Sequence, residues 1–102
     1  MEVVVSKDNF KKEVLDYEGT VIVDFFGTWC MPCKMLKPII EKVANENNYK
    51  LVTIDVDDNE ELAKEFSIMS IPHIKIFKNG VEINSSVGLI SESKLIELIN
   101  KD

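Results

Sequence analysis

The chain has 102 residues, a formal net charge of −6 and a hydrophobic content of 45%. That length suits a single domain over residues 1–102, and apolar residues in short periodic runs exclude a disordered chain. All twelve basic residues are lysines, and an acidic chain without arginine is a poor candidate for nucleic-acid binding.

The N-terminal segment and the hydropathy pattern bear on location. Residues 1–6 carry no basic stretch followed by an apolar one, so they do not resemble a secretory signal. No apolar run approaches the about 20 residues needed to cross a bilayer. We therefore expect a cytoplasmic protein, in a compartment where disulfides are usually transient and catalytic.

The first half of the chain alternates short strands with helices. Residues 3–5 form an apolar run that predicts an edge strand, and Ser6 can cap a helix that ends near Asp16. The run Val21–Phe26 is almost continuously apolar, which is typical of a strand buried on both faces. Apolar residues then recur at three- and four-residue spacing, so a second helix is expected up to about Asn47.

The second half has further apolar runs that predict strands: Leu51–Val56, Ile74–Phe77 and Val81–Ile83. Asn59 can cap a short helix after the first of these strands. The turn Lys78–Gly80 joins the other two strands into a hairpin. Ser91 can cap a final helix with apolar residues on one side.

The predicted order of elements is βαβαβαββα. Strands separated by helices pair in parallel through right-handed crossovers, and the hairpin adds an antiparallel pair. The sequence therefore predicts an α/β fold with a central mixed five-stranded sheet and helices on both faces. In open sheets of this kind, functional groups gather at the carboxyl ends of the strands, where the segment after Phe26 falls.

Cys30 and Cys33 are the only cysteines, and they flank Met31 and Pro32 at the predicted start of a helix. Unpaired N–H groups and the helix dipole favour a thiolate at Cys30. Cys33 falls one helical turn later, so we interpret Cys30 as the exposed, attacking sulfur and Cys33 as the buried, resolving sulfur. Two inert thiols are an alternative. A zinc pair is another, although zinc needs about four ligands and the chain has one histidine.

Further features accompany the cysteines at fixed positions. They are the segment Val23–Lys34, Pro38 in the second helix, Ser70-Ile71-Pro72, Lys78-Asn79-Gly80 and Gly88. In this order and spacing they resemble the thioredoxin family over essentially the whole chain. The resemblance implies the thioredoxin fold and a thiol–disulfide oxidoreductase in which the Cys30–Cys33 dithiol reduces disulfides of target proteins.

Asp24 is an acid inside an apolar strand, where burial raises the pKa of a carboxyl group. A carboxylate bonded to nearby backbone would also explain it. The resemblance favours a catalytic role, in which Asp24 exchanges the proton of Cys33 through a water. Many family members pair this acid with a lysine where this chain has Thr53, so we expect Asp24 to be protonated more easily here.

The resemblance also implies a docking surface around Cys30. Its residues are Trp29, Ile71, Pro72, Gly88 and Leu89. Pro72 matches the family's cis-proline, which faces the disulfide, blocks metal access to the thiols and exposes the Ile71 backbone for strand-like pairing with a substrate. The plain alternatives are a trans Pro72 that begins a strand and a Trp29 that covers the edge of the core.

Four residues are expected to tune the redox pair. Pro32 is shared with reducing members of the family, whereas Met31 replaces the usual glycine and is either a tolerated exposed side chain or a contact for partners. Thr53 acts through Asp24. His73 stands where threonine is common, and it is either a pH-sensitive group or an ordinary strand residue with a partner.

The chain has no glycine pattern for nucleotide binding, so we expect no bound cofactor and no metal. The resemblance implies that electrons come from NADPH through a flavin-containing thioredoxin reductase. The expected partners are that reductase and disulfide-containing target proteins, without nucleic acid or membrane, and the chain is expected to be a monomer. Rival functions are a more oxidising isomerase, a binding module with incidental thiol chemistry, and a metal or iron–sulfur site shared by two chains.

Overall fold

The computed structural model describes residues 2–100, and the strands in that range form one sheet. The strands are β1 (Glu2–Val4), β2 (Thr20–Phe26), β3 (Lys50–Asp55), β4 (His73–Lys78) and β5 (Val81–Val87). The helices are α1 (Met31–Asn47), α2 (Glu60–Glu65) and α3 (Glu92–Asn100), and a π-helical turn spans Lys11–Leu15. No helix within residues 2–100 is both long and apolar enough to span a membrane.

The sheet has the strand order β1-β3-β2-β4-β5. β1 and β2 run parallel to β3, whereas β4 is antiparallel to β2 and β5 is antiparallel to β4. β2 is therefore the central strand, and in its register Asp24 lies between Thr53 of β3 and Ile74 of β4. The mixed five-stranded sheet is confirmed, and the carboxyl end of its central strand leads directly into the cysteine segment.

Both faces of the sheet are covered, as predicted. The cluster beneath α1 and α3 includes Ile22, Leu36, Ile40, Ile74 and Leu95. The cluster beneath the π-helical turn and α2 includes Val14, Val23, Phe25, Ile54 and Leu62. Because side chains alternate along a strand, Asp24 shares its face with Ile22 and is directed toward α1.

Two local predictions about helix starts are wrong. Residues 7–9 form a turn, and the helix expected from Ser6 to Asp16 is reduced to the π-helical turn. The Ser6 N–H donates to Asn9 Oδ1 at 2.8 Å, so that side chain closes a turn before any helix begins. Asn59 occupies the N-cap position of α2, but its side chain donates to the Asp55 carbonyl at 2.9 Å and does not cap the helix.

Other local predictions are confirmed. α1 runs through Pro38 and ends at Asn47. Ser91 Oγ accepts the Lys94 N–H at 3.1 Å at the start of α3. In the hairpin turn, Asn79 and Gly80 have φ of 51° and 82°, and this pair of left-handed residues matches the twist of the two strands.

Candidate active site

The two cysteines form a disulfide at the start of α1, with their Cα atoms 5.3 Å apart. Cys30 is the N-cap of α1, and the Cys33 N–H donates to Cys30 Sγ at 3.2 Å. Pro32 lies in the first turn, where its missing N–H leaves no helical bond unmade. A backbone donor and the positive end of the helix therefore face the Cys30 sulfur, and both stabilise a thiolate there after reduction.

The predicted difference in exposure between the two cysteines is wrong for the disulfide form. Cys30 and Cys33 are each 4% exposed, so both residues are buried when their sulfurs are bonded to each other. Their surroundings differ instead. Cys33 lines a cavity beside Asp24, whereas Cys30 accepts the hydrogen bond from the helix backbone. The two sulfurs are thus distinguished by the groups around them.

A cavity of about 230 Å³ lies where β2 and β3 meet the first turns of α1. Its lining residues are Asp24, Phe26, Gly27, Thr28, Cys33, Lys34, Lys37 and Thr53. Asp24 is only 3% exposed, and its Oδ1 has no hydrogen-bond partner among residues 2–100. For this oxygen, the alternative of a carboxylate satisfied by nearby backbone does not hold.

Burial raises the pKa of Asp24 to about 7, because the charged carboxylate loses its hydration. The Lys37 ammonium opposes this rise in pKa, and the Glu2 carboxylate adds to it. Thr53, the β3 neighbour of Asp24, is buried and carries no charge. Asp24 can therefore take up or release a proton near neutral pH in the cavity that Cys33 also lines.

Trp29 is 68% exposed, more than expected of a side chain that only covers the edge of the core. Its indole Nε1 donates to Asp57 Oδ2 at 2.7 Å. A Cβ atom at Gly27 would lie 2.9 Å from Ile71 Cδ1 and 3.0 Å from the Trp29 ring, so glycine allows both side chains to approach. The indole is thus exposed and held in one orientation beside Ile71.

The loops before β4 and after β5 meet near this indole. The Ile71–Pro72 peptide bond is cis, as the resemblance implies. The Gly88 N–H donates to the Pro72 carbonyl at 2.8 Å, which joins the two loops, and the next residue, Leu89, is 46% exposed. Beside them is a second cavity of about 350 Å³, lined by Trp29, Val56, Ile68, Met69, Ser70 and Ile71.

The two remaining tuning candidates lie in different surroundings. Met31 is exposed next to Cys30. His73 is buried on the opposite face from Asp24, where its ring packs against Phe25, and within residues 2–100 neither ring nitrogen has a partner. The expectation of a partner for His73 is therefore wrong. Burial lowers the pKa of His73, and so does Lys75, which is itself paired with Glu82.

Sequence reasoning missed several residues of this site. Lys37 lines the Asp24 cavity, Glu2 forms an ion pair with Lys37, and Asp57 accepts a hydrogen bond from the Trp29 indole. The spacing of Lys37 four residues after Cys33 is a signal that could have placed both on one helix face. Glu2 and Asp57 carry no such signal, because their contacts join segments far apart in the chain.

The geometry bears on metal binding as well. Among residues 2–100, no group of three or more histidine, cysteine, aspartate or glutamate side chains is arranged to hold a metal ion. The Cys30–Cys33 pair is bonded to itself and lies beside an acid that titrates near neutrality. A helix-terminal disulfide of this kind on a mixed α/β sheet defines a thiol–disulfide oxidoreductase.

Comparisons with known proteins agree with this class. The family model for thioredoxin matches residues 1–101. Thioredoxin of Rickettsia felis is 41% identical over 99 residues, covering 95% of this chain and 94% of its own length. Thioredoxin of Chlamydia muridarum is 42% identical over 99 residues, covering 96% and 95% respectively. A mutant thioredoxin from Halobacterium salinarum NRC-1 superposes with a TM-score of 0.88 at 32% identity, over 96% of this chain and 87% of that one.

The chain belongs to the thioredoxin family. It has the thioredoxin fold, and it is a protein-disulfide reductase that uses the redox-active Cys30–Cys33 pair in thiol–disulfide exchange.

Proposed function

We propose that this protein is a single-domain, monomeric electron carrier of the cytoplasm. It takes electrons from NADPH through a flavin-containing thioredoxin reductase and passes them to disulfides of target proteins. Membership of the thioredoxin family supports this assignment. The chain itself supplies the dithiol, and the flavin and nicotinamide belong to the partner.

The Cys30 thiolate begins the reaction. It attacks one sulfur of the target disulfide, forms a mixed disulfide and releases the other target sulfur as a thiolate. The position of Cys30 at the N-terminus of α1 supports this role, because the Cys33 N–H bonds to its sulfur and the helix dipole favours negative charge there.

Cys33 then resolves the mixed disulfide. Asp24 takes the Cys33 proton, the resulting thiolate attacks Cys30 Sγ, and the bond between Cys30 and the target breaks. The target leaves as a thiolate and the Cys30–Cys33 disulfide is restored. The observation that carries this proposal is the cavity that Asp24 and Cys33 share, with an acid whose pKa is about 7.

Target proteins dock beside Cys30 on Trp29, Ile71, Pro72, Gly88 and Leu89. The exposed indole offers an apolar contact for an extended peptide. Among residues 2–100, no other backbone group bonds to the N–H or the C=O of Ile71, so both are available for strand-like pairing. Met31 extends this surface, Pro32 favours the reducing behaviour of the pair, and the uncharged Thr53 leaves Asp24 more easily protonated. His73, whose ring packs against Phe25, is the remaining tuning residue.

Insulin reduction coupled to NADPH oxidation through a thioredoxin reductase tests the assignment. We expect steady NADPH consumption with the native chain, a trapped mixed disulfide with Cys33→Ser, and no reaction with Cys30→Ser. Inertness with several reductases, despite a reducible disulfide, would contradict the electron-carrier role. A reduction potential near the about −180 mV of protein disulfide isomerases would identify an oxidant or isomerase instead.

A further inference from the structure

Two charges of opposite sign act on the buried acid. Lys37 lines the cavity of Asp24. Its ammonium lies 3.3 Å from Glu2 Oε2 of the edge strand β1. The Lys37 and Glu2 side chains are 48% and 29% exposed, so both are partly accessible to solvent.

The other neighbours of Asp24 leave this pair as its main electrostatic partners. Thr53 on β3 and Ile74 on β4 flank Asp24 in the sheet, and neither can ionise. From α1, the ionisable residues that line the cavity are Cys33, Lys34 and Lys37. Lys37 and Glu2 are the charged groups that affect the pKa of Asp24, the first lowering it and the second raising it.

We propose that Lys37 is a positioning residue for the resolving step. Glu2 holds the Lys37 ammonium beside the cavity and limits how far that ammonium lowers the pKa of Asp24. The cation stabilises the Asp24 carboxylate, which must be ionised to accept the Cys33 proton. α1 thus supplies a positive charge beside Asp24, which its uncharged β3 neighbour Thr53 does not. This inference rests on the proposed role of Asp24 as the proton acceptor.

The step balances without any further reactant. The proton moves from Cys33 Sγ to an Asp24 oxygen, the Cys33 thiolate forms a bond to Cys30 Sγ, and the electron pair of the broken bond leaves with the target sulfur. Lys37 transfers nothing. It changes only the fraction of molecules in which Asp24 is ionised at a given pH.

Two variants of opposite sign test the inference. Lys37→Gln removes the cation, and we expect the pKa of Asp24 to rise by about half a unit, which is about threefold in the protonation equilibrium. Glu2→Gln removes the opposing negative charge but keeps an amide oxygen that can still accept from the Lys37 ammonium, so the pKa of Asp24 should fall. Lys37→Arg keeps the charge and should restore native behaviour.

The pKa of Asp24 is read from a carbon-13 NMR titration of its carboxyl group in the reduced protein. In parallel, the single-turnover rate of reduction of a disulfide substrate is measured against pH. The midpoint of that profile should move with the NMR value, so that Lys37→Gln is about threefold slower below pH 7. Unfolding temperatures of all variants identify any loss of fold.

Lys42→Gln is the matched control. Lys42 lies on the same helix and pairs with Glu92 at 2.7 Å, but it does not line the cavity. In Lys42→Gln, the Asp24 carboxyl should titrate with the same midpoint as in the native protein. The inference is overturned if Lys37→Gln gives the same NMR midpoint as Lys42→Gln, or if Lys37→Arg fails to restore it.

Asp24→Asn separates this inference from the proposed function. If the variant keeps the native rate and pH profile, the proposed role of Asp24 is wrong. If Asp24→Asn slows the resolving step but Lys37→Gln does not shift the pH profile of the single-turnover rate, only the role of Lys37 is wrong. In the Asp24→Asn background, Lys37→Gln should have no further effect on the profile.

Discussion

The Trp29 indole and the Asp57 carboxylate are joined by a 2.7 Å hydrogen bond, although 28 positions separate the two residues in the chain. Trp29 precedes the reactive Cys30, and Asp57 follows the end of the neighbouring strand β3. The bond therefore fixes the exposed ring on which targets are proposed to dock. Its charged acceptor makes it stronger than a bond between neutral groups.

Asp57→Ala should weaken docking more than chemistry. Without its acceptor, the indole rotates more freely, and ordering it again costs free energy each time a target binds. We expect KM for a protein disulfide to rise about two- to fivefold, with kcat nearly unchanged, because ordering one side chain on binding costs about 0.5–1 kcal/mol. Asp58→Ala, which removes an adjacent exposed acid, is the control. Equal KM values for the two variants would contradict this role for Asp57.

Asp24 should make the oxidised protein less stable as the pH rises. Its pKa is raised from 3.8 to about 7 by burial, so between these values the folded state binds more protons than the unfolded state. Stability is therefore lost as the pH rises through this window, by up to about 4 kcal/mol. Asp24→Asn should then be more stable than the native protein by a few kcal/mol at pH 8, with little difference at pH 4.

Urea unfolding at several pH values measures this effect. Asp58→Asn serves as the control, because Asp58 is exposed, and its difference from the native protein should not vary in the same way. A constant stability difference between Asp24→Asn and the native protein from pH 4 to pH 8 would show that Asp24 does not titrate as its burial requires.

Gly88→Ala and Gly80→Ala should separate docking from stability. Gly88 has φ of +93°, with open space where a Cβ atom would lie, so alanine there costs only about 1–2 kcal/mol of backbone strain. It also perturbs the N–H that bonds to Pro72, so KM should rise. A Cβ at Gly80 would lie 2.3 Å from the Leu15 carbonyl oxygen, so that variant should lose more stability.

Both glycine variants are compared by unfolding midpoint and by steady-state kinetics on the folded protein. Gly80 lies in the hairpin turn, away from the cysteines, so KM of its folded fraction should match the native value. A native KM for Gly88→Ala would remove Gly88 from the docking surface.

His73 should oppose folding at acidic pH. Burial lowers its pKa below 6.5, so the unfolded state binds the extra proton, and stability is lost as the pH falls through that value. His73→Leu removes this penalty, and it should gain stability relative to the native protein between pH 7 and pH 5. The same variant tests redox tuning, since an unchanged reduction potential would exclude His73 from that role.

Much of the architecture follows from local sequence. The β-branched run of β2, the spacing of apolar residues in α1, the Ser91 cap and the Asn79-Gly80 turn each predict an element, because their effects act within a few residues. Two helix starts are the exceptions. The side chain of Asn9 closes a turn with Ser6, and the side chain of Asn59 donates to the Asp55 carbonyl, so in both places a local hydrogen bond forms in place of the predicted cap.

The sequence by itself determined the order of elements, the redox pair at the start of a helix and the buried acid in the central strand. Only the tertiary structure decided what surrounds them. It placed Lys37 and Glu2 beside Asp24, Asp57 against Trp29, and both cysteines at equal exposure in the disulfide. Spacing along the chain specifies contacts within one element, whereas contacts between distant elements depend on how the helices and strands pack together.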